Sequence, residues 1–421
     1  MKETIQRDPS CADDYDPNSI TVEEARANIL DNITPITGTE KISIRECLNR
    51  VLAEDILSPI EVPGHNNSAM DGYALAGNDL PNEAKPYQII GTAFAGTPFT
   101  ETCEAGQVVR IMTGAVIPKG CDTVVMQEHV EIINDTTVKI DDGHQTGQNV
   151  RNAGEDITKG AVVISKGRRI TAADLGILAS LGMGEMRIYR RPRVAFFSTG
   201  DELRSVGETL RPGEIYDSNR YTLYGMLKRL DVDIIDMGVI KDNPDALREA
   251  FQQAANMADV IITSGGVSVG EADYIKTILE ETGDIAFWKV AMKPGRPLTF
   301  GKINKAHCFG LPGNPVSVMV TFYQFVQPAI HYLASGTPQY PATLNATCTS
   351  SLRKRPGRFE FQRGIYEQNE KGELCVSKTG QQGSGILSSM SHANCFILLP
   401  VEATRVEPGE IVQIQPFDGF I

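Results

Sequence analysis

Three apolar runs in the second half of this chain each stop at a small polar loop: VAFFSTGDEL (194–203), DVIITSGGVSVGEADY (259–274) and CFGLPGNPVSV (308–318). From residue 191 such runs alternate with stretches of helical periodicity. Asp217 or Ser218 caps a helix carrying Leu223, Met226, Leu227 and Leu230, and Pro244 opens another carrying Leu247, Ala250, Phe251 and Ala254. Alternation of this kind builds a doubly wound α/β domain, here ending near residue 336 with helix PVSVMVTFYQFVQPAIHYLA. Open sheets bind ligands beyond the carboxyl ends of their strands. The three loops are therefore expected to converge on one pocket.

The flanking sequence has a different texture. Thr21 and Glu24 form a capping box ahead of Val22, Ala25, Ile29 and Ile33, which predicts a packing helix. From about 40 to 190 the chain is rich in Gly, Pro and β-branched residues, and runs such as VVRIMTG, DTVVMQEHVEI and AVVISKG predict strands. SGTPQYPA reads as a linker, and 342–421 as a small all-β domain with Gly-rich turns.

A formal charge of −13 argues against a nucleic-acid surface or an anionic membrane partner. Any anion must then be met by a local cationic cluster. Cys11, Cys47, Cys103, Cys121, Cys308, Cys348, Cys375 and Cys395 have neither CxxC nor Cys/His spacing, so no zinc site or disulfide framework is expected. No apolar segment reaches membrane-spanning length and MKETIQRDPSCADDYD lacks the apolar core of a signal peptide. The expectation is a cytoplasmic protein whose first ~18 residues are disordered.

Several residues could carry chemistry. Paired glycines Gly265 and Gly266, followed by Ser268, stand straight after a buried strand, where backbone amides can approach phosphate closely. The spacing fits neither a dinucleotide loop nor a Walker loop. Asp201, Glu202, Asp242 and Asp273 should reach the same rim, although Asp273 could simply cap a helix. Carboxylates gathered beside a phosphate site repel one another unless a cation sits among them, so Mg²⁺ is expected there. Lys289, Lys293 and Arg296 cluster in FWKVAMKPGRP, which favours an anion over a solvated edge. In LPGNPVS, Pro312, Asn314 and Pro315 introduce a helix with Ser317 in its first turn. Outside the α/β domain, HNNSAMDGYA offers Asp71, VRIMTGAVIP offers Thr113, RKRPGRFEFQRG carries Arg358 and Arg363, and QQGSG carries Ser384. Pairing with carboxylates is the default for those arginines.

Taken together, SAMDGYA, RIMTGA, NVRNAGEDI, FSTGDEL, TSGGVSVGEADY, FWKVAMKPGRP, GLPGNPVS and GRFEFQRG resemble the molybdopterin molybdenumtransferases, the MoeA and gephyrin E-domain family, in collinear order from about residue 20 to 420. The resemblance implies Mg²⁺-dependent insertion of molybdate into the dithiolene of adenylylated molybdopterin, with release of AMP. It implies catalytic roles for Asp71, Thr113, Asp156, Glu202, Asp242, Asp273, Lys289 and Lys293, with Glu202, Asp242 and Asp273 on Mg²⁺. Gly265, Gly266, Ser268, Pro312, Asn314 and Pro315 would bind the pterin substrate, and Lys293, Arg296, Ser317, Arg363 and Ser384 molybdate.

The same resemblance implies four domains: 19–60 with 148–190 (I), an inserted 61–147 (II), 191–336 (III) and 337–421 (IV). It also implies a homodimer whose active site draws on both copies, and contact with a molybdopterin adenylyltransferase and downstream cofactor-handling proteins. The alternatives are the adenylyltransferase itself, whose loop usually reads GGTG where this chain has GGVSVG, and a non-catalytic molybdopterin- or molybdate-binding scaffold.

Overall fold

The computed structural model describes residues 18–265, 278, 281 and 284–417. Two compact units are formed, one by Met1–Glu40 together with Tyr189–Ile421 and the other by Lys41–Ile188.

The larger unit is organised by a six-stranded sheet in the order Asp233–Ile240, Arg193–Thr199, Val260–Ser264, Ala306–Leu311, Pro297–Ile303, Asp284–Lys289. The first four strands are mutually parallel and the last two antiparallel to their inner neighbours. Central strands of a covered sheet bury both faces, and Val194, Ala195, Phe196 and Phe197 are all fully buried. Helix Ser218–Lys228 contributes Leu223, Met226 and Leu227 to one layer; helix Pro244–Met257 contributes Leu247, Phe251 and Ala254 to the other. Asp217 is the N-cap of the first and Asn243 of the second. Strand Pro297–Ile303 is absent from the sequence reading above. Its hairpin with Ala306–Leu311 turns at Asn304, which is left-handed at φ 55°.

Helix Pro315–Thr321 continues through a π turn, Phe322–Val326, into helix Gln327–Ser335, which ends at Gly336 with φ +72°. Pro328 has no N–H, so the carbonyl of Gln324 four residues earlier lacks its helical donor. The Arg26 side chain takes its place, with Nε donating to that carbonyl at 3.1 Å and Nη2 to the Gln324 amide oxygen. Gln324 Nε2 passes the connection on to Gln415 Oε1 at 3.0 Å. Burial holds the Arg26 guanidinium below its ordinary pKa. Thr21 and Glu24 form the expected capping box of helix Val22–Asp31, which delivers Arg26.

Residues 344–416 close a five-stranded barrel in which Phe359–Gln368, Leu374–Lys378, Leu344–Cys348, Ile411–Pro416 and Cys395–Leu399 follow one another and the last pairs back to the first. Cys348, Val376, Cys395, Ile397 and Ile414 fill it. A short strand from the α/β part, Met292–Lys293, adds in parallel to Phe359–Gln368, and Phe361 and Phe396 join the same apolar cluster as Val316, Val320 and Phe325.

The smaller unit holds its own six-stranded sheet, ordered Thr123–Met126, Gly72–Leu75, Gln107–Ile111, Lys85–Ala93, Thr137–Ile140, Val130–Asn134. Beside it, helix Ala172–Ser180 packs Leu178 with Leu52, Ile164 and Ile188. Gly72 allows no side chain, since a Cβ would lie 2.0 Å from the Val125 carbonyl oxygen.

Two expectations about stability follow. Arg26→Ala leaves the Gln324 carbonyl unpaired, and should lower stability by about 1–3 kcal/mol in a denaturant titration. His307 is 4 % exposed, and burial first, then Lys302, depress its pKa from 6.5 to about 4. The unfolded chain therefore binds the proton more readily. His307's contribution is whole above pH 6.5 and is lost as the pH falls from 6.5 to about 4, by roughly 3 kcal/mol. His307→Phe should flatten that part of a stability-against-pH curve; an unchanged slope would show that the step belongs to other groups.

Candidate active site

Because four strands are parallel, residues 200–202, 241–243, 265 and 312–315 leave the sheet at one rim. Two antiparallel reversals bring Lys289 to that rim as well, with Arg296 at the head of the intervening strand. Gly265 has φ +96°, and a Cβ there would lie 2.6 Å from the Thr199 carbonyl oxygen, so only glycine fits so close to the neighbouring strand. Its N–H donates to the Leu311 carbonyl at 3.2 Å. Gly266, Ser268 and Asp273 lie outside the described residues.

Asn219, in the first turn of helix Ser218–Lys228, was missed by sequence reasoning. Its Nδ2 donates to Ser264 Oγ at 2.9 Å and to the Gly313 carbonyl at 2.7 Å, tying two of the loops together. Among the described residues, Ser198 Oγ, Thr199 Oγ1, Asp217 Oδ2, Asn219 Oδ1 and Thr263 Oγ1 are buried with no hydrogen-bond partner. Buried polar atoms are normally satisfied. These five orphans gather at the ends of two strands and one helix, beside the Gly265 turn. The sequence signal was the DSN triplet 217–219, which reads locally as a cap and nothing more.

The rim is acidic on one side. Asp242 is held above the ordinary carboxylate range by burial and then by the charges of Asp201 and Glu202. Among the described residues no three His, Cys, Asp or Glu side chains are grouped closely enough to hold a metal ion. The structure thus brings Glu202 and Asp242 together as a repelling pair, and the third residue of the expected metal set, Asp273, is outside the described residues.

A cationic cavity of about 390 Å³ opens where the Lys293 strand meets the barrel, lined by Lys293, Pro294, Arg353, Gln362, Arg363, Lys378 and Gln382 among others. Arg363 is only 1 % exposed, and burial lowers its pKa to about 10. Pairing with a carboxylate is the ordinary expectation for such an arginine, but its guanidinium donates instead to Ser389 Oγ and to the Gly383 carbonyl, each at 3.0 Å. Glu360 acts on it only through space, being engaged by Lys293 Nζ at 3.1 Å and Gln362 Nε2 at 3.0 Å. Neighbouring Lys354 serves structure: its ammonium donates to the carbonyls of Arg355, Val401 and Ala403.

Loop and helix meet beside this cavity. Gly295, at φ +96°, leaves 2.6 Å between a notional Cβ and Thr321 Cγ2, so the Lys293–Arg296 turn lies flat on the helix that carries Ser317. Ser317 and Arg296 are both buried, and the Ser384 carbonyl accepts from Val316 N at 3.1 Å. Asn314 is that helix's N-cap, though its side chain makes no capping bond, and Pro315 is in the first turn. All five residues expected to meet molybdate thus belong to one neighbourhood.

In the smaller unit, Asp71 and Thr113 are brought together by the antiparallel pairing of Gly72 with Ile111. Asp71 Oδ1 accepts from both the Thr113 N–H and hydroxyl, each at 2.7 Å, and the backbone bond first lowers its pKa. Asp156 is exposed, its N–H donating to the Val62 carbonyl at 3.1 Å.

Comparison with known proteins gives this geometry a family. The MoeA N-terminal region (domain I and II) matches residues 20–182, the probable molybdopterin binding domain 195–332, and the MoeA C-terminal region (domain IV) 345–417. The molybdopterin molybdenumtransferase of Haemophilus influenzae is 46% identical over 404 residues, covering 96% of this chain and 100% of its own. The chain belongs to the molybdopterin molybdenumtransferase family. Its member from Nostoc sp. is 36% identical over 92% of each chain. Among solved structures, the molybdopterin biosynthesis MoeA protein of Pyrococcus horikoshii OT3 is 30% identical and superposes with a TM-score of 0.82, covering 95% of this chain and 100% of its own.

Within this family member the acidic rim is a place where charge opposes folding. Asp242→Asn removes one of the mutually repelling carboxylates, so without divalent cations the variant should melt above the wild type. A lower melting temperature would mean that Asp242 is held by favourable contacts and not by repulsion.

Proposed function

We propose that this protein inserts molybdate into the dithiolene of adenylylated molybdopterin and releases AMP, completing a step of molybdenum cofactor biosynthesis. The cationic cavity around Lys293 and Arg363 carries this reading, next to the close relationship with molybdopterin molybdenumtransferases. A tetrahedral dianion needs fixed donors with little competing negative charge. In a chain of net charge −13, Arg363, Lys293, Arg353 and Lys378 offer that concentration of positive charge around a single buried carboxylate, Glu360. Arg363 is preorganised by its bonds to Ser389 and Gly383, so it need not reorganise when the anion arrives.

The Gly265 turn, Asn219 and the orphaned hydroxyls of Ser198 and Thr199 suit the polar pterin and phosphate portions of the substrate. Lys289 and Lys293 would balance phosphate charge as the anhydride breaks. Glu202 and Asp242, with Asp273, are the side chains that would hold magnesium, and the repulsion felt by Asp242 fits such a role. When bound, Mg²⁺ would offset negative charge on the phosphates. Asp71 and Thr113, joined in the other unit, would serve the site in a homodimer that shares it between copies.

The test is AMP release from adenylylated molybdopterin with and without molybdate and Mg²⁺, followed by activation of a molybdenum-free apoenzyme. Release that needs both ions and yields active cofactor is expected. Arg363→Ala should reduce the molybdate-dependent rate on the order of 100-fold, as for loss of a preorganised charge-stabilising donor. Consumption of ATP and unadenylylated molybdopterin instead would make the protein an adenylyltransferase, and the reading would fall.

A further inference from the structure

A second cavity, of about 420 Å³, lies on the larger unit and belongs to none of the features above. Its walls are residues 34–38, Arg190, Asp259, Lys302, Asn304, Lys305, His307 and Leu333. Of these, Asp259, Lys305 and His307 stand at the amino ends of strands Val260–Ser264 and Ala306–Leu311, and Lys302 and Asn304 at the carboxyl end of Pro297–Ile303. They therefore sit at the opposite edge of the sheet from Gly265 and Pro312, roughly 17 Å away along strands of five or six residues.

The charges in this cavity favour an anion. Asp259 is its one carboxylate, and both oxygens are engaged: Arg190 Nη1 and Nη2 donate at 2.7 Å each, and Arg193 N donates at 2.8 Å. The Arg190 guanidinium thus offsets the charge of that carboxylate. Arg190 is in turn neutralised by Asp259, which leaves Lys302 and Lys305, neither in a salt bridge among the described residues, to set the sign of the cavity. Lys302 lies directly across the hairpin from His307.

His307 adds an aromatic nitrogen heterocycle to the same walls. Its ring is buried and stacked nearly parallel on Phe300, with centroids 6.3 Å apart, yet Nδ1 has no hydrogen-bond partner. Nδ1 is enclosed, so the ring, which lines the cavity, would meet an occupant through Nε2. The walls are already rigid: Ile36 N donates to the Leu333 carbonyl at 2.8 Å and Arg190 N to the Gly38 carbonyl at 3.0 Å. Preformed walls reduce the ordering cost of binding.

We propose that this cavity is a binding site for a small phosphate monoester. Its phosphate would be met by Lys302, Lys305 and the His307 imidazole, the volume leaves room for more than a bare phosphate, and Pro35, Ile36 and Leu333 form an apolar wall for the organic half, with the Thr34 and Thr37 hydroxyls beside it. Residues 34–38 and Arg190 are also the segments by which the chain leaves this unit and returns to it, so an occupant would clamp both.

The test uses the full-length protein with labelled histidine, titrated with glycerol 3-phosphate and, separately, with inorganic phosphate, following the His307 ring resonances by NMR. A saturable shift with both probes is expected, weakened by about tenfold or more in Lys302→Ala/Lys305→Ala and retained in Arg363→Ala, whose cavity lies elsewhere. The lysines are exposed, so their removal should not disturb folding. His307→Phe, which keeps the stacked ring but removes the nitrogen, should weaken binding measured by calorimetry. The proposal is overturned if His307 does not respond, if chloride at equal ionic strength gives the same shift, or if the double lysine variant binds unchanged.

Discussion

The parallel register of Arg193–Thr199, Val260–Ser264 and Ala306–Leu311 is the constraint on which the larger unit depends. Parallel strands cannot be joined by tight turns, so helices Ser218–Lys228 and Pro244–Met257 carry the chain back across the sheet faces and the carboxyl ends of the parallel strands are left on one side. That single consequence gathers the Gly265 turn, the Glu202 and Asp242 carboxylates and the Pro312 to Pro315 loop at one rim. The antiparallel hairpin at the far side of the sheet returns Lys289 and Arg296 to it.

The second organising contact is smaller. Two residues, Met292 and Lys293, leave the α/β part and become a strand on the C-terminal barrel. This pairing places Lys293 beside Glu360 and one cavity away from Arg363, with Gly295 allowing the following turn to lie against the Ser317 helix. The cationic pocket is therefore assembled from four stretches of chain, 293–294, 351–353, 360–363 and 378–382, which only the fold brings together. In the buried Arg363, Nε and Nη2 donate to a hydroxyl and a carbonyl, and Glu360 offsets the positive charge only through space.

Opposed electrostatics divide the two regions. Where carboxylates meet at Asp201, Glu202 and Asp242, burial and like charge raise the proton affinity of Asp242; where arginine and lysine meet at the barrel, burial lowers that of Arg363. Both shifts express charge held at a cost in free energy, a common property of sites that bind ions of the opposite sign. Lys354 is the contrast, a buried ammonium whose donors are consumed by three carbonyls and which therefore supports the barrel without serving the pocket.

Much of this was legible in the sequence because it is local. Apolar runs ending at Gly-rich loops, the Thr21 and Glu24 capping box, the Asp217 cap and the β-rich texture of the N-terminal half each depend on neighbours a few residues away, where spacing and propensity decide. Collinear motifs carried the family. What the sequence could not determine is whatever depends on distant partners. The Pro297–Ile303 strand follows a proline-rich loop and needed its hairpin partner to exist. Arg26 reaches a carbonyl that Pro328 strips of its donor 298 residues from it, and Asn219 looked like an ordinary residue of a helix's first turn until Ser264 and Gly313 were brought to it. Arg363 reads as a strand arginine awaiting a carboxylate; only the folded barrel turns it instead to Ser389 and Gly383. Burial and non-local hydrogen bonding are properties of the assembled surface, and they emerge only when the sheet register has been set.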